Sequence, residues 1–181
     1  MNKFINFRKS KFIFSLIVLL TFLCVYKIFF LSKISNNYEC IEIFETLEKT
    51  INSNIVDKIK INELNSKIKQ DYSNTSYAAM SSLMVANYLY EQSDLEGAKK
   101  ELVWLINNNN HKIFKSIAIL RLSNLFIDNE EYDKALEYLV TPSNSFDSLF
   151  NDRIGDIMFM ENKFQKAKDF LGIISKSYGK G

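Results

Sequence analysis

Glycine and proline, the residues that punctuate sheets, are nearly missing here: five glycines and a single proline, Pro142, in 181 residues. Strand-and-turn architectures need far more turn formers, so an all-α fold is expected. Cysteine is scarce too. Cys24 and Cys40 are sixteen residues apart, which on a continuous helix is ~24 Å and beyond disulfide reach. No structural disulfide is expected, and pairing of Cys40 with another chain stays open. There is one histidine, His111. With two separated cysteines it makes no zinc set, and no glycine-rich phosphate loop is present. The adjacent carboxylates Glu130 and Glu131 fall in a turn between helices, where acids favour a helix N-terminus. No general acid–base pair is visible. The expectation is a protein that is not an enzyme and needs no cofactor.

Acids are absent from one end. Residues 1–33 carry Lys3, Arg8, Lys9, Lys11, Lys27 and Lys33 without an Asp or Glu, a charge of +6 in a chain whose net charge is +2. Residues 34–181 are therefore at −4, and a nucleic acid is not the expected partner, since that needs clustered cations. Abundant Ile, Lys, Asn, Phe and Tyr suit an AT-rich genome.

What the chain does have begins with a long apolar run. Residues 12–31 read FIFSLIVLLTFLCVYKIFFL, with nineteen of twenty uncharged. Twenty helical residues reach ~30 Å, the thickness of the hydrocarbon core. Lys27 is placed to snorkel towards the headgroups, and Tyr26, Phe29 and Phe30 form an interfacial belt. No small-residue cleavage site follows, and Leu23 is too large for a lipidation signal at Cys24. An uncleaved transmembrane helix in contact with membrane lipid is expected. Four cations precede it, against two at its far end (Lys27 and Lys33), which puts the N-terminus in the cytoplasm and the rest outside. The expected organisation is a cytoplasmic tail (1–11), a transmembrane helix (12–31) and a periplasmic domain (32–181), single-pass in a bacterial inner membrane.

The outer domain repeats itself. Ala86, Ser123 and Gly155 each stand twelve residues before an alanine: Ala98, Ala135 and Ala167. A large apolar residue precedes each alanine by three (Leu95, Tyr132, Phe164), and a leucine follows it by four (Leu102, Leu139, Leu171). The alanines recur after 37 and 32 residues. This is the tetratricopeptide pattern: small residues where paired helices cross closely, large ones between successive pairs. Repeats are expected at about 75–107, 112–141 and 145–177, in a solenoid of antiparallel helix pairs. Two weaker helical stretches, NNYECIEIFETLEKTI and VDKIKINELNSKIKQDY, precede them. Asn107–Asn110 is expected to end a helix and serve as a loop, and Pro142 to separate two repeats. Trp104 is expected to pack.

In proteins with this pattern, fixed positions of each first helix line a concave groove. Carried over, these are Met80, Leu83, Asn87, Tyr90 and Glu91; Ile117, Leu120, Asn124, Ile127 and Asp128; and Leu149, Asp152, Asp156, Phe159 and Met160. The binding candidates among them are Met80, Asn87, Tyr90, Asn124, Ile127, Asp156 and Phe159. The set is apolar and amide-rich, with several acids and no cation, which suits extended polypeptide. The alternative is that many of these positions pack against the next repeat. Arg121 is open to two roles, a contact to a partner's carboxylate or an intramolecular pair with an acid.

The order of these features resembles the YfgM family, the ancillary subunit of the SecYEG translocon. Tyr26-Lys27 with Phe29 is similar to its membrane exit, and Tyr77-Ala78-Ala79 to the opening of its first full repeat. Asp94-Leu95-Glu96 with Ala98 is similar to an inter-helix turn, and Leu120-Arg121-Leu122 to a second-repeat helix. The resemblance implies association with the SecYEG translocon and with a PpiD-like membrane-anchored chaperone. It also implies a role in passing secretory client polypeptides to periplasmic chaperones. Two departures are the short, acid-free tail and a C-terminus soon after the third repeat, which would leave Phe170, Ile173 and Ile174 partly exposed. The alternative function is a membrane-anchored tetratricopeptide scaffold for another envelope assembly.

Overall fold

The computed structural model describes residues 18–27, 38–53, 56–140 and 147–170, all helices and their connections. The chain forms two units, residues 1–42 and 43–181. In the first, helix α1 covers 18–27, and 38–42 open helix α2, which runs to 51. Val18, Leu19, Leu20, Phe22, Leu23, Val25 and Tyr26 are all exposed on α1. Among the described residues no helix is long and apolar enough to cross a membrane. The span expected at 12–31 enters them only through α1, and the rest of it lies outside the described residues, as does the tail 1–11. Cys40 is 1% exposed, so the intermolecular disulfide left open above would require its helix to open.

In the second unit, α2 continues to 51. It is followed by α3 (Lys58–Asp71), α4 (Ser76–Glu91), α5 (Leu95–Asn108), α6 (Lys112–Asp128), α7 (Tyr132–Leu139) and α8 (Asp147–Met160), then α9 at 164–170. From α3 to α8 each helix packs on the next, and α4 also touches α6. Contact with near neighbours only, and between alternate first helices, is the signature of a solenoid.

Local chemistry starts and stops these helices. Asp57, Thr75 and Asp94 cap α3, α4 and α5, accepting from the backbone N–H of Lys60, Ala78 and Gly97 at 3.0, 3.1 and 2.9 Å. Each cap satisfies an orphan donor of the first turn. At the other ends, three left-handed residues recur: Ser93 (φ 62°), Glu130 (φ 59°) and Asn162 (φ 60°). The next residue in each case, Asp94, Glu131 and Lys163, donates back to the carbonyl of Leu89, Phe126 and Met158 at 2.9, 2.8 and 2.8 Å. This is the Schellman closure, made three times, each five residues before one of the repeat alanines.

The repeat marks meet in the core. Ala86, Ala98, Ala135, Ala167 and Ser123 are at most 3% exposed, and Gly155 is buried with them. Leu102 and Leu139 are buried beside Leu105, Leu122, Phe126, Phe150 and Ile157, with Leu95 and Tyr132 packed against this cluster. Phe164, their equivalent in the third repeat, is 56% exposed. Leu171, Ile173 and Ile174 lie outside the described residues. Lys69 and Glu101 tie α3 to α5 with an ion pair of 2.8 Å whose side chains are only 18% and 14% exposed. The Lys69 ammonium also sits 4.9 Å from the Trp104 ring centroid, and Trp104 packs against the core.

The asparagine run is more than a loop. Asn107 and Asn108 still belong to α5, and Asn109 caps it. Asn109 is 1% exposed. Its amide donates to the carbonyls of Ser73 (3.0 Å) and Thr75 (2.9 Å) and accepts from the His111 N–H (2.9 Å). It thereby joins the turn before α4 to the turn before α6.

Candidate binding groove

First helices of successive repeats stand side by side, so equivalent residues fall in register. Asn87 on α4 and Asn124 on α6 are 37 residues apart, like Ala98 and Ala135. Together with Tyr90, Arg121 and Asp128 they line a cleft of about 330 Å³ floored by Ala86, Ala98, Leu102 and Leu125. A second cleft, about 400 Å³, is lined by Ile51, Asn52, Leu83, Met84, Asn87, Tyr88, Glu91 and Arg121. Asn87 and Arg121 belong to both walls.

Of the expected site residues, the structure brings together Asn87, Tyr90 and Asn124. Met80 is 39% exposed and lines neither cleft. Ile127 turns partly into the core, as do Leu83 and Leu120. Asp156 pairs with Arg153 at 3.1 Å along α8. Phe159, 61% exposed, meets Phe164 edge to face with centroids 5.4 Å apart. These last two line no part of the clefts around Asn87.

The groove differs in chemistry from the expected set. Several expected apolar members pack inward, and the exposed residues along the clefts include Asn87, Tyr90, Glu91, Arg121, Asn124 and Asp128, while Ala86, Leu102, Leu125, Leu83 and Met84 keep the lining mixed in character. The expected lack of a cation is corrected by Arg121. Of the two roles considered for it, the intramolecular pair with an acid is not formed among the described residues, and the contact to a partner's carboxylate stays open. The guanidinium donates through Nη1 to the Leu83 carbonyl at 3.3 Å. Glu91 is engaged instead by the Asn87 amide at 2.8 Å. Arg121 lay outside the carried-over groove positions because what places it there is tertiary: its bond to Leu83, 38 residues away in the chain.

A third cleft, about 490 Å³, lies among Glu96, Lys99, Lys100, Val103, Trp104, Phe126, Glu131 and Lys134. Lys99 bridges Glu96 (3.0 Å) and Glu131 (3.5 Å) and sits 5.1 Å from the Phe126 centroid. Lys134 hydrogen-bonds Glu131. That bond holds the Glu131 carboxyl below the usual carboxylate range, with the charges of Lys134 and Lys99 adding to it; it also raises the Lys134 ammonium. A depressed carboxyl contributes stability above its unfolded pKa and loses it as pH falls through the folded value. Glu131→Gln is therefore expected to lower the melting temperature slightly at neutral pH, with the gap to wild type closing in acid. A gap that is constant with pH would exclude this ionic role. The effect is small because the pair is exposed to solvent.

Helix pairs in register, small residues at every crossing and an open polar groove between first helices set the terms for comparison with known proteins. The model of the tetratricopeptide repeat-like domain matches residues 6–170. The chain belongs to the tetratricopeptide repeat-like family. Within it, a curated relative from Neisseria gonorrhoeae (strain ATCC 700825 / FA 1090), an ancillary SecYEG translocon subunit, is 29% identical over 123 residues, 64% of this chain. The match spans 59% of that relative's own length. It bears out the resemblance to the YfgM family read from the sequence. No solved structure matches.

Proposed function

We propose that this protein is an ancillary subunit of a SecYEG-type translocon, held in the inner membrane by residues 12–31. Its solenoid faces the periplasm and binds segments of secreted polypeptide before they reach periplasmic chaperones. The observation that carries this is the similarity to the Neisseria translocon subunit along most of the chain. Two features support it. The described part of the proposed anchor, residues 18–27, exposes a largely apolar surface, which water does not favour and a bilayer does. The groove between α4 and α6 is open at both clefts and offers amides to an extended main chain. An anchor beside the channel exit would raise the effective concentration of the groove for an emerging chain.

The test is co-purification of the tagged full-length protein in mild detergent. Channel subunits and a PpiD-like chaperone are expected to be recovered. Replacing residues 1–33 with an unrelated membrane anchor is expected to lose the channel while the solenoid stays folded. If neither partner is recovered with the folded, correctly inserted protein, the scaffold function in another envelope assembly replaces this proposal.

A further inference from the structure

Among the described residues, Arg121 is the one cation lining either cleft, and its side chain is poised rather than spent. A guanidinium has five N–H donors in a planar fork; here a single bond to the Leu83 carbonyl holds it. Acids line the same clefts, yet none pairs with it among the described residues, and one of them, Glu91, is bonded by Asn87. The donors left over are free for a ligand, and the group that matches a guanidinium fork is a carboxylate. Arg121 and Asn87 form the wall common to both clefts, so a chain lying across Arg121 has a cleft on either side to continue into. That favours an acidic side chain inside a segment over a chain end, which would leave one cleft empty. Glu91 and Asp128 flank the clefts, so a run of acids is repelled while basic neighbours are favoured.

Resting on the client-binding role proposed above, we infer that the groove selects polar, mixed-charge stretches of extended polypeptide, with Arg121 taking an internal Asp or Glu side chain, and not apolar stretches. The experiment is fluorescence anisotropy on the full-length protein in detergent micelles. The probes are labelled Ser- and Gln-rich peptides of about ten residues. One carries a central Glu between lysines, one has Gln in its place, one has Gln with a free instead of an amidated C-terminus, and one is rich in Leu and Ala. The Glu peptide is expected to bind about fivefold more tightly than its Gln counterpart, the scale of an exposed ion pair. Arg121→Gln is expected to remove that difference, and Arg121→Lys, which keeps the charge without the fork, to retain part of it. Tightest binding by the apolar peptide, a preference that survives Arg121→Gln, or a larger gain from the free C-terminus than from the central Glu would overturn the inference. Failure of every peptide to bind overturns the inference and the client-binding role together, while the translocon association, read by co-purification, stands or falls separately.

Discussion

Replacing Asn109 by alanine is expected to cost about 3 kcal/mol of stability, a large share of what a small domain has. The side chain is 1% exposed and makes three hydrogen bonds, to Ser73, Thr75 and His111 backbone groups. Both amide hydrogens and the amide oxygen are used. Removing them leaves two carbonyls and an N–H without this partner in a partly buried setting, and each unmet buried group costs about 1–3 kcal/mol. Partial relief comes from Thr75, whose carbonyl also accepts from Ala79 at 3.3 Å. Asn109→Asp should do worse at neutral pH than in mild acid, because a carboxylate there faces two carbonyl oxygens and is relieved by protonation. The comparison is with Asn110→Ala, an exposed neighbour whose own side chain makes none of these three bonds. Urea unfolding followed by circular dichroism measures all three variants. Equal, small losses for Asn109→Ala and Asn110→Ala would show that the two turns do not depend on this link.

The second large effect is expected at the crossing of α6 and α7. Ala135 is fully buried on a helix of only eight residues, packed against α6. A leucine there must push the helices apart or adopt a strained rotamer, at about 2–3 kcal/mol. The short α7 has few other contacts with which to absorb the shift. Val140, exposed on the same segment, supplies the control, since a leucine there adds a methylene to open solvent. Thermal unfolding of Ala135→Leu should fall well below both wild type and Val140→Leu. If Ala135→Leu melts with wild type, close helix crossing is not what this alanine provides, and the steric account of the repeat fails at its central position.

Much of the architecture was legible without coordinates, for local reasons. Scarcity of glycine and proline excludes sheets and permits long helices wherever it holds. The alanine register was visible because a helix pair must cross closely once per repeat, and only small side chains allow that. The polar dipeptides Ser93-Asp94, Asn129-Glu130 and Glu161-Asn162 marked the turns, and each contains the left-handed residue of a Schellman closure. These features depend on neighbours within a few residues, and composition and spacing record such neighbours directly.

The groove was only partly legible. Asn87, Tyr90 and Asn124 could be placed by register, but the same register assigned Ile127 to the groove, and it packs on the core. A helical position is amphipathic by a matter of degrees, and the packing of neighbouring helices decides which edge of the stripe is covered. Asp156 and Phe159 were assigned by the same rule, yet their contacts are with Arg153 and Phe164 on the third repeat. Arg121 and Asn109 show the limit most clearly. Their partners Leu83, Ser73 and Thr75 are 34 to 38 residues away in the chain. By itself, then, the sequence determined that this protein is helical, repeated, and basic and apolar at its N-terminus, because those properties follow from composition and short-range sterics. Tertiary structure alone decided that one arginine lines both of the groove's clefts and that an asparagine in an apparent linker holds two turns together. Each of those depends on which distant backbone group is close enough to accept a hydrogen bond.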